Sequence, residues 1–490
     1  MDRAGARWRE AAALLVLVLA ALLVRGYELE RLSLWVDEAF SAWVTTHEPG
    51  EIGPLIRAHD THPPLYYLLL DRWVAWFGDG EAALRWPSVL LAAATVPLVW
   101  AAGRTLAPSR AMAPWLGALA AAFFALSPFQ IAYAQEARSY AALVTATALA
   151  LLGALQVLRE PAARLGWVLL VAGWAGCLWL HNLGGLVLAS FLPPLAWWAW
   201  RHARLGRLVL AVGLAVLIWL PNLPGLLAQL GEVRQGFWLP PPDVPTIGRA
   251  LEKLLSLERL GSKNPWPLLA ALEAWGLVWL ARQGRGAAAA LLLGVTGLGI
   301  LIAIVVSHLA VPVFLDRTLI WTALPGYLAL AAGLVGLPWR RARAGLAVLV
   351  VAAFAWGAAT YHVKKSKEPW REVVRVVAQD WRPGDEIAVA PPYGAKAVGY
   401  YRRRFGIAGE VLTPRWEDPT EGQGRAEYER RLREARRVWL VTRSEGGFDP
   451  RGYWVTRALA AERPGLRRWS FEDRLGLELY GAATPAGDAP

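Results

Sequence analysis

Cysteine occurs once, as Cys177 inside an apolar run, so no disulfide can form within the chain and no cysteine spacing offers a zinc site. Internal repeats are missing, as are low-complexity tracts beyond Ala/Leu-rich stretches. That argues against transporters built from repeated halves. The first apolar run, 11–24, has the basic front of a secretory leader in Arg3, Arg7 and Arg9, but no small-residue cleavage site follows it. Further apolar runs do follow, so it reads as a retained span. Methionine is scarce, with two residues, in an Arg-rich, Ala/Leu-rich chain, which points to a GC-rich bacterial source.

What the chain has in excess is apolar length. Hydrophobic residues make up 56% of the 490, with mean hydropathy +0.33, outside the range of most soluble domains. The expected fold class is an all-α polytopic membrane bundle with a soluble α/β domain at its C-terminus. Eleven spans are expected, at 11–25, 87–103, 112–128, 139–157, 165–180, 183–200, 208–225, 265–281, 286–306, 319–337 and 344–360. Several are short and require tilt or shared burial.

The net charge of +12 would suit nucleic acid, but the basic residues lie in short loops between apolar runs. With the N-terminus in the cytoplasm, the inner loops carry Arg104 and Arg110; Arg159 and Arg164; Arg201, Arg204 and Arg207; Arg282 and Arg285; and Arg340, Arg341 and Arg343. Every inner loop is basic under that one assignment, which is the positive-inside pattern. Membrane lipids, and no nucleic acid, are the expected surroundings. The localisation this implies is a bacterial cytoplasmic membrane. The outer face then receives 26–86, 128–138, 226–264, 307–318 and everything after 361.

The stretch LYYLLLDRWVAWF at 65–77 is too short to span and is broken by Asp71 and Arg72. It reads as a helix lying in the interface, with Trp73 and Trp76 at headgroup depth. IGRALEKLLSLERL at 247–260 reads the same way, with an apolar stripe of Leu251, Leu254 and Leu255. The expected domains are therefore 1–360, a transmembrane domain whose first outer loop, 26–86, carries interfacial helices, and 361–490, an extracytoplasmic α/β domain. Within the latter, helices are expected at 370–380, 395–404 and 453–461, and strands at 386–390, 437–442 and through 469–480. A flexible polar loop is expected at 414–425.

Four polar constellations fall on the outer face. Asp37 and Glu38 follow the first span; adjacent side chains diverge on a helix, so at most one addresses a given reacting atom. Solvated carboxylates at a helix terminus are the plain alternative. Asp60-Thr61-His62-Pro63-Pro64-Leu65-Tyr66-Tyr67 uses two prolines to fix the entry to the interfacial helix. It pins His62 either as a phosphate ligand or as an incidental turn residue. Gln135-Glu136-Ala137-Arg138-Ser139-Tyr140 opens the fourth span, where Arg138 either snorkels or clamps a phosphate. His308 with Asp316-Arg317 flanks the tenth span; ionisable residues at such edges are functional candidates, and an Asp316–Arg317 structural pair is the alternative. His181-Asn182, between two spans, is expected to play a buried, hydrogen-bonded role. Carboxylate, histidine and arginine at headgroup level suit a reaction between a lipid-linked phosphate and an acceptor.

The segments SLWVDEAFS, DTHPPLYYLLLDRW, ALRWPSVL, LSPFQIAYAQEARSY, LPNLP, VPVFLDRTLI and KEPWREV, in this order, resemble the GT-C glycosyltransferases related to protein O-mannosyltransferases and lipid A aminoarabinose transferases. The match reaches to about residue 400. The resemblance implies inverting transfer of a sugar from a polyprenyl-monophosphate donor to an acceptor hydroxyl of a lipid, glycan or protein. It implies Asp37 as general base, with Glu38 beside it. His62, Arg138 and Arg317 would bind the donor phosphate, and Asp60, Tyr66, Gln135, Glu136, Tyr140, His308 and Asp316 would line the substrate cavity. The lipid A branch has Lys where this chain has His62, and Arg three positions after the catalytic Asp where this chain has Phe40, which argues against lipid A as acceptor. The scheme needs no metal or other cofactor, although Asp37 with Glu38 is a pair that can hold a divalent cation. Two other classes remain open: a lipid or sugar transporter or flippase, and a non-catalytic envelope-assembly protein. Neither accounts for polar residues gathered at one edge.

Overall fold

A long apolar run satisfies its own backbone at membrane depth by coiling into an α-helix, and helices occupy all eleven apolar runs. The structure is a computed structural model describing residues 3–235, 239–255, 266–414, 422–444, 453–472 and 474–483. Its first helices are α1 (Arg3–Gly26), α2 (Val36–Val44), α3 (Pro49–His59), α4 (Leu65–Phe77), α5 (Glu81–Leu106), α6 (Ala113–Leu126), α7 (Pro128–Ala134), α8 (Tyr140–Arg159) and α9 (Arg164–Leu180). They continue as α10 (Gly184–Arg201), α11 (Leu205–Trp219), α12 (Leu223–Gln235), α13 (Val244–Leu255), α14 (Trp266–Leu280), α15 (Gly286–Leu293), α16 (Gly299–Leu309), α17 (Ala323–Val335) and α18 (Arg340–Lys364).

By length and composition, six helical stretches among the described residues can cross a membrane: Glu81–Leu106, Tyr140–Arg159, Leu205–Leu230, Pro267–Leu309, Arg317–Val335 and Arg340–Lys364. The bent pair α6 and α7, which turns through 58°, makes a seventh if it counts as one span. The expected eleven exceeds this because several apolar helices are short or end in charge, as α9 does at 17 residues. Pro267–Leu309 is interrupted at Gly284, whose φ of +75° places a left-handed residue between Arg282 and Arg285. That break separates the two apolar runs expected at 265–281 and 286–306. The stretch expected to lie in the interface forms a helix, α4, over the residues expected, with Trp76 exposed. Of the second one, α13 covers the start, and 256–260 lie outside the described residues.

The described chain packs as two compact units. The first comprises Met1–Tyr27, Pro49–Phe77 and Ala83–Lys364. The second comprises Glu28–Glu48, Gly78–Ala82 and Lys365–Pro490. Two short pieces of the first loop, Glu28–Glu48 and Gly78–Ala82, thus belong to the same unit as the C-terminal region.

In the first unit, α8 lies along α9 and α14 along α17, with glycine at the closest approaches. A Cβ on Gly276 would overlap the Ala329 carbonyl, and one on Gly333 would overlap that of Leu272. Small residues let membrane helices approach this closely. Gly276→Ala is expected to separate α14 from α17 and cost roughly 1 to 3 kcal/mol, read as a lower unfolding temperature of the purified protein. Arg25, buried at the end of α1, donates through Nη1 to the Ala125 carbonyl (2.6 Å) and through Nη2 to that of Phe124 (2.9 Å). These are terminal carbonyls of α6, which no helical amide reaches. The next residue, Ser127, accepts the Gln130 amide and starts α7. Tyr327 of α17 donates to the Ser127 hydroxyl (2.9 Å), fixing the bend.

The second unit adds α19 (Trp370–Gln379), β1 (Asp385–Ala390), α20 (Ala395–Arg404), β2 (Val411–Leu412), α21 (Arg425–Glu434), β3 (Arg437–Arg443), α22 (Trp454–Glu462), β4 (Gly465–Ser470) and β5 (Leu475–Tyr480). The sheet order is β2-β1-β3-β5-β4, with the first three strands parallel and the last two antiparallel. β1 and β3 are almost wholly buried, as parallel strands between helices must be. The loop expected at 414–425 lies largely outside the described residues; its end begins α21.

Candidate active site

In the first unit, two prolines end the turn after α3 and start α4, so residues 60–62 sit at the head of that helix. Asp60 is the centre of a compact network. Its Oδ1 accepts the Thr61 amide (2.7 Å) and lies 3.0 Å from His62 Nδ1. Its Oδ2 accepts the Tyr67 hydroxyl (2.5 Å). Arg138, from the turn between α7 and α8, donates through Nη1 to the Tyr67 oxygen (2.8 Å), and its Nη2 is 3.5 Å from His62 Nδ1. His62 and Arg138 are both buried. Burial alone would raise the Asp60 pKa. The charge and hydrogen bond of His62, then the Arg138 charge and the Tyr67 hydroxyl, outweigh burial and hold it well below the usual carboxylate range. Such a carboxylate stays ionised throughout neutral pH. Its contribution to stability is present above the unfolded-state value and is lost only as pH falls through the depressed folded one.

His181, at the end of α9, faces His62 edge-on with ring centroids 4.7 Å apart. Its protonation is suppressed first by burial and then by the charges of His62, Arg138 and Arg317, against Asp60. Arg138 and Arg317, 179 positions apart in the sequence, therefore act on one imidazole. Tyr133 is likewise within electrostatic reach of Arg317, Asp316 and Glu136. Tyr140 is buried and lies against both Tyr133 (5.2 Å) and His181 (6.2 Å).

Other expected site residues are placed differently. Gln135 is committed to the scaffold: its Nε2 donates to the carbonyls of Arg25 and Tyr27 (2.9 Å each), and its Oε1 accepts from Tyr361. Asp316 accepts the Arg317 amide and pairs with Lys253 of α13. His308 is exposed at the end of α16. Tyr66 is buried beside Tyr67, ring centroids 5.6 Å apart. Asn182 has the hydrogen-bonded role expected of it, and it works with Gln229, which the sequence did not announce. Asn182 donates to the Thr61 carbonyl (2.9 Å) and to Gln229 (2.6 Å), and Gln229 donates to the His62 carbonyl (3.2 Å). They tie the Asp60–His62 turn to the α9–α10 turn and to α12. Gln229 sits in no recognisable motif.

In the second unit, Asp37 and Glu38 occupy the first turn of α2 and diverge as adjacent helical residues must. Glu38 is fully buried, pairs with Lys367 (2.8 Å) and faces the Trp35 amide (3.4 Å). Asp37 is half-buried. Phe40, one turn on, lies under the Lys396 ammonium of α20 (5.9 Å), which also covers Trp43 (4.7 Å). Glu38→Gln is therefore expected to act on folding: breaking a buried pair typically costs about 3 kcal/mol, measured as a lower unfolding temperature than Asp37→Asn gives. Among the described residues, no group of three His, Cys, Asp or Glu side chains is placed to hold a metal ion.

ArnT from Cupriavidus metallidurans, solved in the apo state, matches with a TM-score of 0.63 over 97% of this chain and 98% of that one, at 16% identity. The chain has a GT-C fold. The same ArnT bound to undecaprenyl phosphate matches at 0.55, with 17% identity and 98% of each chain covered. AglB, the oligosaccharyltransferase of Archaeoglobus fulgidus, in complex with an inhibitory peptide and a dolichol-phosphate, matches at 0.54 and 11% identity over 99% of this chain and 75% of that one. No protein-family model and no curated protein sequence matches.

Proposed function

We propose that this GT-C protein is an inverting glycosyltransferase, moving a sugar from a polyprenyl-monophosphate donor to an acceptor hydroxyl at the outer face of a bacterial cytoplasmic membrane. The observation that carries this reading is the buried network in which the Asp60 carboxylate gathers His62, Tyr67 and Arg138, in a fold whose neighbours were solved with polyprenyl phosphates. Arg138 and Arg317, with His62, take the donor phosphate; Asp60 holds His62 by its Nδ1 so that Nε2 addresses the ligand. Asp37 accepts the acceptor's proton as its oxygen attacks the anomeric carbon. The bond to the phosphate oxygen breaks in the same displacement, the configuration inverts, and the electron pair leaves with the polyprenyl phosphate. The cations stabilise the charge that develops there. The N-terminus is cytoplasmic, the spans number eleven, and the C-terminal α/β domain is extracytoplasmic, as the basic loops support.

The test is to incubate the purified protein with a panel of polyprenyl-phosphate sugars labelled in the sugar, and to follow release of polyprenyl phosphate alongside label in acceptor or water. Donor-dependent release supports the reading. A protein that binds no polyprenyl phosphate and releases none from any donor overturns it.

A further inference from the structure

His181 was expected to be a satisfied core histidine. Half of that holds: its Nδ1 accepts the Leu183 amide (3.0 Å), which helps turn the chain from α9 into α10. An accepting Nδ1 carries no proton, so in the neutral ring the proton sits on Nε2. That Nε2 has no hydrogen-bond partner among the described residues, although the side chain is only 4% exposed. A buried donor left unsatisfied bears its full desolvation penalty, and native structures retain few of them. His62, whose ring centroid lies 4.7 Å away, likewise has an Nε2 with no hydrogen-bond partner among the described residues.

We propose that His181 is a ligand-binding residue whose Nε2–H donates to an anionic oxygen of a phosphate monoester, beside His62, Arg138 and Arg317. The inference rests on the donor-phosphate reading of that cluster. It adds an uncharged donor with a fixed tautomer to the two guanidinium cations and the His62 ring. The neutral form follows from burial among like charges, and it makes the contact one of direction more than of net charge. The backbone bond at Nδ1 holds the ring, so ligand binding need not reorient it.

The phosphate could belong to a lipid or be free, and undecaprenyl phosphate and inorganic phosphate are the two probes. Binding is measured on the purified full chain in detergent, at fixed pH and salt, with His181→Asn, His181→Gln, Arg138→Ala and Arg317→Ala. Asn keeps an acceptor near the Nδ1 position but ends short of Nε2; Gln returns an N–H near it. Undecaprenyl phosphate should bind His181→Asn about tenfold or more weakly, the scale of one hydrogen bond to a charged group, with Gln recovering part of the loss. Unfolding temperature should change little between the two. Nitrogen-15 spectra of the histidines should show the His181 proton on Nε2, with that resonance shifting on lipid addition. Equal affinity of His181→Asn and wild type, while the arginine variants bind weakly, overturns the inference and leaves the donor-phosphate reading standing. Undiminished binding in all four variants overturns both. Inorganic phosphate binding as tightly as the lipid would assign the contact to free phosphate.

Discussion

Asp37→Asn is expected to fold normally and to lose transfer by roughly 100- to 10,000-fold, the usual cost of removing a general base. The amide is isosteric, and Asp37, unlike Glu38, is only half-buried, so the substitution keeps the shape of the first turn of α2. Undecaprenyl phosphate binding should be unchanged, because the cations assigned to the phosphate lie elsewhere in the sequence. Labelled-sugar transfer and lipid binding, measured on the same preparation, separate these effects. Near-normal turnover in Asp37→Asn would remove it as the base. Turnover abolished in Glu38→Gln with unfolding temperature retained would move the role one residue along.

Arg138→Ala should weaken undecaprenyl phosphate binding by ~10- to 150-fold, equivalent to about 1.5 to 3 kcal/mol for a charge-assisted contact. Arg138 also donates to Tyr67, which in turn donates to Asp60. Its loss therefore loosens the turn carrying His62, and a fall in unfolding temperature should accompany the loss of affinity. Arg138→Lys keeps the charge but not the planar fork, so rescue should be partial. Full binding by Arg138→Ala would place the phosphate away from this network.

Much of the fold was legible because apolar runs and helices obey one local rule: α4, α9 and α20 begin and end within a residue of where hydrophobicity and turn residues put them. The small domain was harder. β2 is two residues long, and α21, RAEYERRLRE, buries only Tyr428 and Leu432; neither leaves a periodic signal. At the site, sequence named His62, Arg138 and Arg317 from their chemistry, and His181 and Arg138 do meet the Asp60 turn. It could not see that Gln135 serves as a strut or that Glu38 is taken by Lys367. Those are contacts between residues more than 100 positions apart, and no local pattern encodes a partner at that range.

That last pair has a consequence in time. Glu38 and Lys367 are separated by 329 positions. At ~5 to 20 residues per second, ribosomes need on the order of 15 to 65 seconds to cover that stretch. Throughout that interval α2 exists without the lysine that neutralises its buried glutamate, and without Tyr401, whose hydroxyl accepts the Leu34 amide just before the helix. The segment bearing Asp37 is thus among the first made and among the last to mature. A nascent chain stalled before residue 365 should carry it in a form open to proteases or chaperones, and release of the full chain should close that window.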